Sequence, residues 1–366
     1  MRTKKSSARR LLVAAGGTGG HIFPGIAVAE EAARRGWEVR FVGSSGGMEQ
    51  RLVQEAGFAG FSVRVGKIKR MGPLGAAASL ALLPASLVQA GAVLARFRPS
   101  VVVGAGGYVS APVVAAAGLA RRPVILLEQN VIPGATNRTL ARMSWKVAVS
   151  FEESLGRFGD KALVCGNPVR AALVERFSRR NERGTHDGPL RLLVLGGSQG
   201  ARAINDLMAK TAPVLAQMDL TVRHQTGTAD LDWVRAAYDK AGLDARTVGF
   251  QKDMGDLYEW ADLVLCRAGA TTIAELTVAG LGAILVPFPY AADDHQTANA
   301  MVLDRAGAAV MIPQKELTTR RFLRQLGGFV EDRTSVEEMG LAAARLARPK
   351  AASCVLDLCD QAIEGK

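Results

Sequence analysis

The sequence predicts an α/β protein made of two doubly wound domains in tandem, and three observations carry that prediction. The apolar run Leu11-Leu12-Val13-Ala14-Ala15 stops at Gly16-Gly17-Thr18-Gly19-Gly20, and Leu192-Leu193-Val194-Leu195 stops at Gly196-Gly197-Ser198-Gln199-Gly200. Each then continues into an alanine-rich amphipathic stretch, which is how a βα unit opens. Second, 366 residues are many for one core and comfortable for two. Third, short apolar runs alternate with helical stretches through both halves. Strands apolar on both faces suit a parallel sheet covered by helices.

In the first half the expected strands are 11–15, 38–42, 61–65, 101–104, 124–127 and 146–149, with helices between most of them. The polar stretch Phe177 to Pro189 reads as a linker or surface loop. The pattern restarts at Leu192, with strands at 192–195, 220–224, 246–249, 262–266 and 283–286, and a helical tail from about Ser335. The expected domains are 10–170 and 171–345, with a last helix at about 346–366 packing back on the first.

Hydrophobic residues make up 48% of the chain and charged residues 22%, which excludes a disordered protein. The net charge of +12 favours an anionic partner. Nucleic acid is not expected, because aromatics are only 5% and no nucleic-acid-binding signature appears. An anionic membrane surface or a phosphorylated substrate fits better. Cys165, Cys266, Cys354 and Cys359 form no CxxC pair and are expected as buried thiols in a reducing compartment. His21, His186, His224 and His295 show no zinc-ligand spacing, so no metal site is expected. The start MRTKKSSARR-LLVAA imitates a signal peptide, but its apolar stretch breaks at once into glycines, so a basic arm before the first strand is the simpler reading. Met71 to Ala95 carries no charge and is flanked by Lys67, Lys69, Arg70, Arg96 and Arg98. Pro84 and Gly72, Gly75 and Gly91 argue against a spanning helix, so 67–98 is expected to lie in the soluble fold or dip its apolar edge into an anionic leaflet.

The first glycine turn is not the GxGxxG fingerprint, and the second strand, ending Arg40-Phe41-Val42-Gly43, lacks the acidic residue that would hold an adenosine ribose. Glycines allow close backbone approach, and a helix N-terminus offers free N–H groups to an anion. His21, at the head of that helix, is either a packing residue or a group that exchanges a proton near neutral pH. Gly106-Gly107-Tyr108-Val109-Ser110 and Glu128-Gln129-Asn130 also follow strands, and ligands of open α/β sheets bind at such carboxyl ends. In the second half, Cys266 leads into Arg267-Ala268-Gly269-Ala270-Thr271-Thr272-Ile273-Ala274-Glu275. Thr272 and Glu275 have capping-box spacing; the same helix start could hold a diphosphate, with Glu275 on ribose hydroxyls. Asp293, Asp294, His295, Gln296 and Asn299 open a later helix, and the adjacent aspartates read as a loop and N-cap rather than a metal site.

GGTGGHIFPGIAVAEE, GGYVSAP, LEQNVIPGATNR, CGNPVR, LGGSQGARAIN, CRAGATTIAEL and PFPYAADDHQTANA occur together and in order. The set resembles the MurG family of UDP-N-acetylglucosamine transferases from about residue 11 to about 310, and more softly to the end. The resemblance implies a GT-B architecture, two Rossmann-like domains separated by a deep cleft. It implies inverting transfer of N-acetylglucosamine from UDP-GlcNAc to the C4 hydroxyl of the muramoyl group of lipid I, giving lipid II. No cofactor or tightly bound metal is implied. The implied setting is peripheral, on the cytoplasmic face of the bacterial membrane, with other wall-synthesis proteins as partners. Donor contacts implied by motif match are Thr18, Gly19, Gly20, Asn130, Arg170, Ser198, Gln251, Ala270, Thr271, Thr272, Glu275 and Gln296, with His21 as the candidate base. Thr271 stands where the family often has a larger apolar residue, and Gln251-Lys252 replaces an apolar–acidic pair.

Overall fold

The structure, a computed structural model, describes residues 9–17, 19–46, 48–65, 82–178, 187–197, 201–251 and 253–365. Thr18, Ser198, most of the polar stretch after Phe177, and residues 66–81, which take in Lys67, Lys69, Arg70 and the first part of the uncharged segment, lie outside the described residues. The chain divides into two compact units, Met1–Ala171 with Arg348–Lys366, and Ala172–Ala347.

The first unit holds a parallel sheet of β1 (Arg10–Ala15), β2 (Glu38–Ser44), β3 (Gly60–Val63), β4 (Val101–Gly106), β5 (Val124–Glu128), β6 (Lys146–Val149) and β7 (Ala162–Val164), in the order β3-β2-β1-β4-β5-β6-β7. Its helices are α1 (Gly19–Arg34), α2 (Met48–Glu55), α3 (Leu83–Phe97), α4 (Ser110–Leu119) and α5 (Ala135–Leu140). β1 shows why the sequence reads as an unbroken apolar run. Leu11 and Val13 pack in one core with Ile22 and Ile26 of α1, while Leu12 and Ala14 pack in another with Val93 of α3 and Val113 of α4. With both faces covered, the period-two alternation of a half-exposed strand disappears. The strand order reverses between β1 and β4, the point where open sheets form a ligand crevice.

The second unit repeats the plan with β8 (Leu190–Leu195), β9 (Leu220–Gln225), β10 (Ala245–Val248), β11 (Leu263–Cys266), β12 (Gly282–Leu285) and β13 (Ala309–Met311), in the order β10-β9-β8-β11-β12-β13. The reversal falls between β8 and β11. The following helices are α6 (Ala171–Ser178), α7 (Arg202–Leu215), α8 (Leu231–Ala241), α9 (Met254–Trp260), α10 (Ala270–Ala279), α11 (His295–Arg305), α12 (Thr319–Glu331), α13 (Arg333–Arg345) and α14 (Ala351–Glu364). β7 and β13 were not expected from the sequence. Each is three residues long at a sheet edge, too short to show a period.

α14 belongs to the first unit. Val355, Leu356, Leu358 and Cys359 are buried in the same core as Leu11 and Ile26. Arg35 holds the helix from outside, with Nη1 on Asp357 at 2.7 Å and Nη2 on the Ser353 hydroxyl at 2.7 Å. This return corrects the expectation of four buried thiols. Cys165 and Cys354 form a disulfide with Cα atoms 5.5 Å apart, because α14 brings its first turn to the chain just beyond β7. Cys266 and Cys359 are buried thiols.

His224 of β9 anchors a buried polar network in the second unit. Asn205 Nδ2 donates to the Thr226 carbonyl and to Asp230, so Asn205 Oδ1 faces His224 Nε2 at 3.0 Å. That contact requires Nε2 to carry the proton, and Nδ1 then accepts from the Tyr238 hydroxyl at 2.7 Å. Burial pulls the His224 pKa down from 6.5 to about 3, with the Asp230 charge a smaller opposing effect. Above pH 6.5 the imidazole is neutral folded and unfolded. Below it only the unfolded chain takes the proton, so stability falls as pH drops toward 3, by about 1.4 kcal/mol per pH unit. Urea unfolding of the second unit at pH 7 and pH 5 should show a loss of about 2 kcal/mol that His224→Gln abolishes. Equal pH dependence in the variant would assign the effect to other groups.

Candidate active site

In the first unit the glycine turns after β1 and β4 are fitted backbone to backbone. A Cβ on Gly107, at φ +84°, would lie 2.0 Å from the Gly16 carbonyl oxygen, and one on Gly16 would lie 2.8 Å from Val109 Cγ2. Only glycine permits that approach. Ser110 locks the two strand ends together: its hydroxyl accepts from Gly106 N–H at 3.1 Å and donates to the Ala14 carbonyl at 2.7 Å.

His21 stands in the first turn of α1, half-buried, with its ring against this junction. A Cβ on Gly106 would lie 2.5 Å from His21 Nδ1, so the glycine makes room for the imidazole. Gly19 opens the same helix beside Phe23, and the Arg170 guanidinium lies 5.3 Å from the Phe23 ring centre. Arg170 Nε is buried without a hydrogen-bond partner among the described residues. The helix start and Arg170 therefore present positive charge at one end of α1. Asn130 sits in the loop after β5. That loop is organised by Glu128, whose carboxylate accepts from Asn130 N–H at 3.0 Å, Gly134 N–H at 3.1 Å and Asn137 Nδ2 at 2.9 Å. Burial pushes the Glu128 carboxyl up, against the hydrogen bonds that favour its charged form. The sequence motif contains Glu128 but gives no sign of this organising role.

In the second unit Gly196 N–H donates to the Gln225 carbonyl at 2.7 Å, and a Cβ there would meet that oxygen at 2.9 Å. α10 starts across the switch point. Gly269 is its N-cap, which corrects the capping-box reading: Thr272 lies inside the helix and Glu275 a turn further on. Buried Glu275 instead accepts from the Tyr258 hydroxyl at 2.8 Å. Ala270 is buried and Thr271 and Thr272 half-buried in the first turn. Gln251 lies in the loop between β10 and α9. Gln296 Oε1 accepts from Phe288 N–H at 2.9 Å. Asp293 and Asp294 adopt positive φ, and Asp294 stands at the N-cap position of α11, where its carboxylate accepts from the Thr297 hydroxyl at 2.7 Å.

A cavity of about 520 Å³ at this edge is lined by Arg202, Asp206, Arg267, Phe288, Gln296 and Gln314. Arg267 is the residue that sequence reasoning passed over. Its guanidinium donates to the Val286 and Pro287 carbonyls at 3.1 and 3.2 Å and to Gln314 Oε1 at 2.7 Å, and it stacks on Phe288. Burial draws its pKa down to about 10. A half-buried cation held by neutral acceptors in a cavity is suited to an anionic ligand. Its only sequence signal is its position directly after β11. The structure thus gathers His21, Gly19, Gly20, Asn130 and Arg170 at the carboxyl edge of one sheet. It gathers Gln251, Ala270, Thr271, Thr272, Glu275 and Gln296 at that of the other.

Two parallel-sheet Rossmann-like units, each with a glycine turn at its switch point, make a GT-B fold. Residues 11–149 match the glycosyltransferase family 28 N-terminal domain and residues 191–355 its C-terminal domain. The UDP-N-acetylglucosamine–N-acetylmuramyl-(pentapeptide) pyrophosphoryl-undecaprenol N-acetylglucosamine transferase of Syntrophus aciditrophicus is 45% identical over 96% of this chain and 98% of its own. The transferase of the same name from Marinobacter nauticus is 42% identical over 98% and 99%. The crystal structure of MurG from Acinetobacter baumannii superposes with a TM-score of 0.79 at 32% identity, covering 97% of this chain and all of that one. The chain belongs to the MurG family within glycosyltransferase family 28. A UDP-GlcNAc 2-epimerase from Neisseria meningitidis, at 12% identity and a TM-score of 0.67, shares the fold.

Proposed function

We propose that this protein transfers N-acetylglucosamine from UDP-GlcNAc to the C4 hydroxyl of the muramoyl group of lipid I, forming lipid II with inversion at the anomeric carbon. The observation that carries the reading is the near full-length match to transferases named for this reaction. The site chemistry supports it. Inverting transfer needs a base for the acceptor hydroxyl and stabilisation of the departing diphosphate. His21 takes the proton, directly or through water, as the hydroxyl oxygen attacks C1 and the bond from C1 to UDP breaks on the opposite face. The α10 N-terminus, Arg267 and Arg170 meet the charge that develops on UDP. Glu275 accepts from ribose hydroxyls. Thr18, Gly19, Gly20, Asn130, Ser198, Gln251, Ala270, Thr271, Thr272 and Gln296 complete the donor contacts. We assign no cofactor to this reaction.

Incubation with UDP-GlcNAc and a lipid I analogue, followed by mass analysis of the acceptor, tests the reading. Addition of one N-acetylhexosamine is expected; an unchanged acceptor beside epimerised sugar nucleotide would favour the epimerase chemistry of the shared fold.

The acceptor is a lipid, and we place the enzyme peripherally on the cytoplasmic membrane face. No helix among the described residues is long and apolar enough to cross a membrane. Leu82, at the start of α3, Val88 within it and Leu119, at the end of α4, are exposed, as are Arg96 in the last turn of α3, Arg98 just after it, and Arg121 and Arg122 after α4. Sedimentation with liposomes should rise with anionic lipid and fall with salt. Binding that ignores both would remove the electrostatic part of this reading.

A further inference from the structure

We infer that Cys165 and Cys354 are a reversible thiol–disulfide site, exchanging with glutathione or a protein dithiol, that clamps α14 where the chain passes between its two units. Cys165 and Cys354 lie close to the two passages, Ala171 to Ala172 and Ala347 to Arg348. Next to Cys165, Gly166 at φ +89° is fitted against the second passage: a Cβ there would lie 2.3 Å from Arg348 Cβ. The bond spans 189 residues of sequence and closes a loop containing the whole second unit.

Three features point to exchange rather than a permanent staple. α14 has its own anchors, since Arg35 binds Ser353 and Asp357, Arg9 pairs with Asp360, and Val355, Leu356 and Cys359 are buried. The helix therefore stays docked with the bond open. The sulfurs are also unequal: Cys165 is buried, whereas Cys354 is half-buried in the first turn of α14, where a helix favours the negative charge of an attacking or leaving thiolate. Finally, Cys266 and Cys359 are fully enclosed and burial pushes both thiols up, so exchange is confined to the pair. The inference rests on the cytoplasmic setting of the proposed function, where disulfides are mostly transient or redox-sensing.

The chemistry balances with an external disulfide as oxidant. The Cys354 thiolate attacks it, forming a mixed disulfide and releasing one thiol. The Cys165 thiolate then attacks Cys354 sulfur and releases the second. Two protein thiols lose two electrons and two protons, and the external disulfide becomes two thiols.

The test equilibrates the native protein across ratios of reduced to oxidised glutathione, quenches by alkylation, and counts thiols by intact mass with peptide mapping. The expected result is a fall from the four thiols of the sequence to two, with the bridge mapped to Cys165 and Cys354. A rise in Tm of roughly 5–10 °C should follow the same ratio. Cys354→Ser should remove both changes; if that variant does not fold, the wild-type series decides alone. Four thiols at every ratio, two at every ratio, or a bridge between another pair would overturn the inference. None of these readouts depends on transferase activity, so a failed transfer assay would not be mistaken for a failed clamp.

Discussion

Replacing His21 with alanine should lower kcat by roughly 100- to 10,000-fold, the usual cost of losing a general base, and leave UDP affinity nearly unchanged. The imidazole sits at the head of α1 against the Gly106 turn, in the unit that does not contain α10 and its cavity. Its contact with that turn is tight enough for a purely structural role to be a real competitor. That role predicts a lower Tm and a small change in kcat. The pH–rate profile separates the two: loss of the acidic limb in the variant marks the base, and an unchanged limb assigns proton removal to another group. Among the described residues, Glu128 is the first alternative to examine, since it sits at the carboxyl end of β5 and burial pushes its carboxyl up.

Glu275→Ala should weaken UDP and UDP-GlcNAc binding by about 1–3 kcal/mol, the scale for a buried polar partner left without its acceptor. With Gly269 as the N-cap of α10, loss of a capping box no longer explains such a change. A competitor is the bond from Tyr258, because removing the carboxylate also takes this acceptor from a buried hydroxyl. Tyr258→Phe isolates that term. It should lower Tm modestly and leave UDP affinity close to wild type, while Glu275→Ala lowers both. Matching losses of Tm with unchanged UDP affinity in both variants would take Glu275 out of the donor site.

The fold was legible where local pattern and tertiary environment agree. β1 and β8 read clearly because both faces of each are covered, and their glycine turns announce the switch points. β7 and β13 were not legible, being three-residue edges that depend on their neighbours. The disulfide was hidden for a similar reason: Cys165 and Cys354 meet only because α14 returns to the first unit. The site was legible as motifs and less so as chemistry. Thr272 and Glu275 have the spacing of a capping box, yet the helix starts at Gly269, and spacing alone cannot show where a helix begins. Arg267 carries no distinguishing pattern. Its importance comes from burial among carbonyl groups at the cavity, which only the packed structure displays.

Release of UDP, followed continuously with and without a lipid I analogue, decides whether the protein moves a sugar from UDP-GlcNAc to a lipid-linked muramoyl acceptor. UDP should appear only when the acceptor is present and should match the glycosylated product one for one. UDP release or sugar epimerisation at full rate without any acceptor would rule the transfer out.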